Sequence, residues 1–194
     1  ELMHVTPKIY PTAGYNCPVI ELMARLRAIH PMPAAEVEAI TVDLNWLETL
    51  YPSPAFPNPA RGAPGVGSTH YFAAYTCLHG SYPPLKGRLD PGERASGEDR
   101  AVLDLLRRVE VVGHKDRPPF APRITVRMRD GTTYQDELRG DELEWDLATE
   151  TRRISALFGD IPWPREQLDG IVRTVFHLEE ELRIDPLIRL CVRG

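Results

Sequence analysis

Apolar residues recur along the chain with two spacings, one typical of helices and one typical of strands. The helical spacing predicts five helices, over residues 18–30, 69–79, 99–109, 147–157 and 164–181. Strict alternation over residues 36–47 predicts a strand whose buried face carries Ile40, Val42, Leu44 and Trp46. Three shorter strands are predicted over residues 109–112, 123–129 and 132–138, and Asp130-Gly131 predicts a tight hairpin between the last two.

Proline and glycine separate these elements. The chain has 19 prolines in 194 residues, about twice the usual ~5%. Residues 51–67 are predicted to form a long irregular loop, and residues 83–97 and 117–122 are two further breaks. Loops longer than about 12–15 residues are commonly lids or binding loops, so residues 51–67 are a candidate border of a functional site.

The order of the predicted elements indicates an α+β fold. One helix precedes the first strand, two helices follow it, and a strand, a hairpin and two helices complete the chain. This order predicts a mainly antiparallel sheet with flanking helices and a helical carboxy-terminal tail. We expect an α+β domain over residues 1–145 and the helical tail over residues 146–194.

Composition argues against several classes of partner. The chain has 28 acidic and 23 basic residues, a net charge of −5, whereas nucleic-acid binding needs clustered Lys and Arg. No apolar run approaches the ~20 residues of a membrane span, so we expect neither a nucleic acid nor a membrane as a partner. Three widely spaced cysteines, Cys17, Cys77 and Cys191, favour reduced thiols and a cytoplasmic location.

The sequence contains no self-contained catalytic motif. It lacks the glycine patterns that bind phosphate, the HExxH pattern that binds zinc and the GxSxG nucleophile turn. His70 and His79 are nine residues apart and do not share a helix face closely, so no metal is expected.

Two segments nevertheless carry candidate chemistry. Residues 7–18 place Lys8 in a turn-rich stretch before a helix, where backbone N–H groups favour anions. The alternative is an ordinary helix start with a solvated lysine. Residues 68–75 begin with Ser68, a predicted helix cap, and place His70 and Tyr71 in the first turn. The alternative here is packing of the aromatic residues in the core.

Short motifs occur along the chain in a distinctive order. Lys8-Ile9-Tyr10-Pro11 has the form K-x-[YF]-P, and residues 37–42 form a strand of the type xxIxV. Residues 68–74 have the form S-x-x-Y-x-x-A, in a segment that closes at Gly80. A V-x-V strand at 109–111 and the Asp-Gly hairpin follow. In this order, over nearly the whole chain, the motifs resemble the carboxy-terminal part of the MmgE/PrpD family.

The resemblance implies a metal-independent lyase or isomerase of small di- or tricarboxylates. The family includes 2-methylcitrate dehydratases, cis-aconitate decarboxylases and iminodisuccinate epimerases, and it generally needs no metal or organic cofactor. Its active site lies between a large helical domain and a smaller α+β lid. This chain would supply the lid, and the helical amino-terminal half would be its partner and would pack against the tail. We also expect a homo-oligomer.

The resemblance assigns roles to individual residues. Lys8 matches the lysine near the substrate carboxylates and Tyr71 matches the lid tyrosine, so both are predicted to be catalytic. Tyr10, Cys17 and His70 are predicted to contact the substrate. Ala13 and Cys17 stand where relatives often carry histidines, and most acid/base residues of the family come from its helical part.

A non-catalytic or degenerate binding module of the same fold is therefore the alternative function. If Lys8 and Tyr71 do serve one carboxylate, their side chains should reach a common groove bordered by residues 51–67. Both should then be at least partly accessible to solvent. The sequence begins with Glu1 rather than Met, as expected of a processed chain or a fragment.

Overall fold

The structure is a computed structural model that describes residues 8–10, 12–50, 67–83, 97–140, 142–161 and 163–192. The described residues form two compact units, one up to Pro83 and from Gly97 to Asp146, the other from Leu147 onwards. The first unit contains α1 (Asn16–Ile29), β1 (Val37–Asn45), α2 (Trp46–Leu50), α3 (Thr69–His79), α4 (Gly97–Leu106), β2 (Val109–His114), β3 (Arg123–Met128) and β4 (Thr133–Glu137). The second contains α5 (Leu147–Ala156), α6 (Arg165–Phe176) and α7 (Asp185–Cys191). The fold is α+β, as predicted.

The four strands form one mixed sheet in the order β2-β1-β3-β4. The β1–β2 pair is parallel, and the β1–β3 and β3–β4 pairs are antiparallel. Asn45 and His114, at the carboxyl ends of β1 and β2, are therefore neighbours. Arg123, at the start of β3, pairs with Asp43 on one side and Glu137 on the other. One end of the sheet thus collects polar and charged residues from all four strands.

The apolar face of the sheet follows from alternation along β1 and β3. Alternate side chains on these strands are fully buried, namely Ile40, Val42 and Leu44 on β1 and Ile124 and Val126 on β3. This confirms the buried face predicted for the first strand as far as Leu44. Helix α1 contacts β3 and β4, and α3 contacts β2, α1 and α4, so these helices build the core together with the sheet.

The first strand departs from the predicted alternation at both ends. Val37 is fully buried although it lies on the predicted polar side, because the β1–β3 register shifts between Val37 and Ala39 and such a shift redirects a side chain. The prediction that Trp46 lies on the buried strand face is wrong. Trp46 is half-buried and begins α2, because the side-chain oxygen of Asn45 accepts the Leu47 N–H at 2.9 Å and starts a helix there.

Helix α3 is confirmed with its predicted ends. The Ser68 hydroxyl oxygen accepts a hydrogen bond from the Tyr71 N–H at 3.1 Å, and Gly80 ends the helix in the left-handed conformation with φ of 72°. The hairpin between β3 and β4 is confirmed as well. Gly131 has φ of 89°, and the Thr132 N–H donates to Asp130 Oδ1 at 2.8 Å.

Other boundaries differ from the predicted ones. Helix α1 begins two residues before residue 18, α4 ends at Leu106, and β2 continues to His114. Residues 117–122 lie between β2 and β3, as the predicted break requires. The predicted loop over 51–67 and the predicted break over 83–97 lie almost entirely outside the described residues.

The second unit corrects the prediction of one helix over residues 164–181. Helix α6 ends at Phe176, a 3₁₀ turn follows at Leu178–Glu180, and α7 was not predicted. Glu179–Glu181 would place negative charge at the negative end of a helix dipole, which disfavours continuation. Within this unit the Gln167 Nε2 donates to the Leu190 carbonyl at 2.6 Å, and Gly170 leaves room for the Leu190 side chain, so α6 and α7 pack closely.

Candidate active site

The segment before α1, residues 8–10 and 12–15, forms tight turns that lead into the helix. The Thr12 N–H donates to the Tyr10 carbonyl at 2.7 Å, and the Asn16 N–H donates to the Ala13 carbonyl at 2.9 Å. These two bonds fix the path of the backbone, and α1 follows directly.

Tyr10 is held at both ends of its side chain. Its hydroxyl donates to Glu21 Oε1 at 2.8 Å, and its ring stacks on Tyr82 with centroids 4.7 Å apart. Lys8, two residues earlier, is exposed. The segment therefore presents an accessible ammonium group close in sequence to a fixed aromatic ring.

A buried hydrogen bond joins this segment to α3. The Thr69 hydroxyl donates to Asn16 Oδ1 at 2.7 Å, and Asn16 Nδ2 donates to the Thr12 hydroxyl at 3.0 Å. Asn16 is 1% exposed and Thr69 is fully buried. The sequence did not reveal this pair, because Asn and Thr near a helix start ordinarily indicate only a local cap. The bond brings together two segments that are 53 residues apart.

Aromatic contacts form a second link between the same segments. The ring of Tyr71 packs edge-on against Phe72 with centroids 5.5 Å apart, and Phe72 stacks on Tyr82 at 5.7 Å. Tyr82 in turn stacks on Tyr10. Two predicted site residues, Tyr10 and Tyr71, are thus linked through the rings of Phe72 and Tyr82.

The predicted site residues differ in their access to solvent. Lys8 is exposed, whereas Cys17, His70 and Tyr71 retain 7%, 4% and 9% of their accessible surface. Tyr71 is more enclosed than expected because its ring contacts both Phe72 and Tyr75. A common groove for the side-chain tips of Lys8 and Tyr71 stays a prediction.

The thiol of Cys17 is not activated by its surroundings. Burial raises its pKa to about 11, and the backbone N–H of Tyr10 and the positive charge of Lys8 offset this only in part. Because the thiolate is the nucleophilic form, a thiol with this pKa is not a nucleophile at neutral pH. Cys17 can contribute a small apolar surface to a site beside Lys8.

Comparison with known protein families finds no family that matches this chain, and comparison with curated proteins finds no matching relative. Among the described residues, no three His, Cys, Asp or Glu side chains are grouped so that they could hold a metal ion. None of the helices in the described ranges is both long and apolar enough to cross a membrane.

Proposed function

We propose that this chain is the carboxy-terminal lid region of a metal-independent lyase or isomerase acting on small di- or tricarboxylates, similar to the MmgE/PrpD family. The buried hydrogen bond between Thr69 and Asn16 carries the proposal. It supports a shared site because it joins the start of the helix that bears Tyr71 to the segment that bears Lys8.

The two proposed catalytic residues have complementary roles. The ammonium group of Lys8 binds a substrate carboxylate and offsets negative charge that develops on it as the adjacent proton is removed. The hydroxyl of Tyr71 donates a hydrogen bond or a proton to the substrate. Tyr10, Cys17 and His70 contact the substrate around them. The base comes from the helical half, which is the proposed partner.

The proposal also covers the cellular location, the oligomeric state and the cofactor requirement of the enzyme. The enzyme works in the cytoplasm as a homo-oligomer and uses neither a metal nor an organic cofactor. The lid supplies one wall of the active site, and the helical half supplies the other.

The test is an activity assay of the complete protein that contains this chain, with 2-methylcitrate and cis-aconitate as substrates. Lys8→Met and Tyr71→Phe should each lower kcat by about 100-fold or more, the usual contribution of an acid/base group. Lys115→Met and Tyr134→Phe are matched controls, since both residues lie outside the two linked segments, and they should leave kcat nearly unchanged. Equal effects of the test and control variants would contradict the proposal.

The isolated chain provides a second test. It should show no turnover of these acids, because the proposed base belongs to the helical half. Dehydration or decarboxylation by the chain alone, well above that of a Lys8→Ala variant, would contradict its assignment as a lid.

A non-catalytic binding module is the second candidate function. It is favoured by Ala13, which stands where MmgE/PrpD proteins often carry a histidine, and by exposed apolar side chains such as Phe176 and Leu182. The two candidates differ in the activity of the complete protein. Turnover that depends on Lys8 favours the enzyme, and stable binding of a partner chain without turnover favours the module.

A further inference from the structure

An open cavity of about 320 Å³ lies in the first unit, at the end of the sheet where β2 finishes and β3 begins. Its volume is at the low end of the range of about 300–1,000 Å³ that is typical of small-molecule sites. Six of its lining side chains are ionisable: His114, Asp116, Arg117, Arg123, Glu137 and Arg139. None of them belongs to the segments that carry Lys8 and Tyr71.

The guanidinium groups of the three arginines retain N–H donors from which a ligand can accept hydrogen bonds. Arg123 uses its Nε to donate to Asp43 Oδ2 at 2.9 Å, and within the described residues its two terminal nitrogens have no hydrogen bond. Arg117 donates from Nη1 to the Ala121 carbonyl at 2.7 Å, and its Nη2 lies 3.4 Å from a carboxylate oxygen of Glu137. No described residue forms a hydrogen bond or an ion pair with the Arg139 guanidinium.

Asp43 holds two of the lining side chains in place, His114 and Arg123. Its Oδ1 lies 2.6 Å from His114 Nε2, while its Oδ2 accepts the bond from Arg123. Asp43 is only 7% exposed, so these two partners take up both oxygens of a shielded carboxylate. The side chains of His114 and Arg123 are therefore oriented before any ligand arrives, which lowers the entropic cost of binding.

The loop between β2 and β3 is also held in place. The Glu48 carboxylate accepts the Phe120 N–H at 2.8 Å and the Asn45 N–H at 3.1 Å, and the Asn45 side-chain amide donates to the Arg117 carbonyl. Phe120 has a positive φ of 56°. A non-glycine residue keeps such a conformation only when its surroundings hold it there, which is common beside binding sites.

We infer that this cavity binds a small oxyanion, such as a carboxylate or a phosphate, through Arg117, Arg123 and Arg139. Guanidinium groups match both anions, because their planar fork can donate two parallel hydrogen bonds. The lining itself carries three arginines and two carboxylates, Asp116 and Glu137.

Isothermal titration of the purified chain with inorganic phosphate, and separately with citrate, at constant ionic strength tests the inference. Either anion should bind saturably at one site. Arg139→Gln should weaken that binding by about tenfold or more, since a charge-assisted hydrogen bond is lost. Arg139 has no side-chain partner among the described residues, so this variant should fold, and circular dichroism checks that it does.

Arg107→Gln is the matched control, because Arg107 is exposed in the turn after α4 and, within the described residues, forms an ion pair with Asp104 alone, across 3.4 Å. It should bind the anion as tightly as the unchanged chain. Saturable binding of either anion that depends on Arg139 supports the inference, and the tighter of the two identifies the preferred oxyanion. Absence of saturation with both anions, or equal weakening by both substitutions, overturns it. The test needs no turnover, so its failure leaves the proposed lyase activity untouched.

Discussion

Asp43 is a buried acid on β1 that holds basic partners from the two neighbouring strands. It contacts His114 on β2 and Arg123 on β3. Burial alone would raise its pKa, but the hydrogen bonds from Arg123 and His114 outweigh burial and lower the pKa below the usual range of an aspartate. Asp43 is therefore a negatively charged residue that links β1 to β2 and β3, and it is not a proton donor at neutral pH.

Substitution of this residue should affect stability in a way that depends on pH. Asp43→Asn should lower the free energy of unfolding at neutral pH by about 2 kcal/mol, because charge-assisted hydrogen bonds are lost. A carboxyl with a lowered folded-state pKa stabilises the fold above its unfolded pKa, and this contribution is lost as the pH falls through the folded value. The difference between the two proteins should therefore shrink below about pH 4.

Urea unfolding at a series of pH values measures this difference. Asp104→Asn is the control, because Asp104 is exposed and its pair with Arg107 should contribute less than about 1 kcal/mol. A cost of Asp43→Asn that is the same at neutral and acid pH would show that the charge of Asp43 is not the cause.

The three cysteines should differ strongly in reactivity. Cys17 and Cys77 are buried, which raises the pKa of each thiol to about 11, whereas Cys191 is exposed. Iodoacetamide should therefore modify Cys191 first under native conditions, and Cys17 and Cys77 only after denaturation. Mass spectrometry of labelled peptides at successive times gives the order. Rapid native labelling of Cys17 would mean that its thiol is activated, and its proposed role as a passive contact would be wrong.

At the level of elements, the cap of α3 holds the first turn in which Tyr71 lies. Ser68→Ala removes the hydroxyl that accepts the Tyr71 N–H, and should destabilise the protein by about 1 kcal/mol. Chemical denaturation gives the difference. Ser81→Ala removes the same hydroxyl from an exposed residue after the helix and should cost almost nothing. Similar costs at both positions would contradict the capping role of Ser68.

The elements that the sequence predicts best are those with local causes. Helix α3 lies between a serine cap and a left-handed glycine, and the β3–β4 hairpin turns at Asp-Gly, so a few adjacent residues specify each one. The sequence does not predict the end of α6, because the helical spacing of apolar residues continues past Phe176. The acidic residues Glu179–Glu181 that follow disfavour a longer helix. The parallel pairing of β1 with β2 depends on contacts between distant residues, which periodicity does not report.

The difference between local signals and contacts between distant residues also applies to the candidate active site and to the arginine cavity, the cavity lined by Arg117, Arg123 and Arg139. Lys8 and Tyr71 were candidates because short motifs around them resemble a family. The bond between Asn16 and Thr69 that links their segments had no local signal. The sequence does not indicate the arginine cavity, because β2, β3, β4 and the segments that follow β2 and β4 each supply part of its lining. Sequence spacing can indicate residues within one element, but it cannot indicate residues that a sheet brings together.

At the scale of the whole molecule, the two units differ in how many apolar side chains they bury. The first unit has a fully buried apolar core and contains both the candidate active site and the arginine cavity. The second unit leaves several large apolar side chains in contact with solvent: Val175, Phe176, Leu178, Leu182, Ile184, Ile188 and Val192. Phe176 is 45% exposed and Leu182 is fully exposed. Where exposed apolar side chains form one contiguous patch, they commonly mark a surface that binds another protein.

The last prediction is that this apolar surface makes the isolated chain associate with itself or bind a hydrophobic dye. Water in contact with apolar side chains is released when another surface covers them, and this release favours association. Phe176→Ser combined with Leu182→Ser should lower both the dye fluorescence and the fraction of oligomer seen by sedimentation velocity. Glu179→Ser is the control, because it changes a neighbouring exposed residue without removing apolar area. A strict monomer that binds no dye, before any substitution, would show that the surface is not a binding surface. The proposed packing of the tail against a helical half would then lose its physical basis.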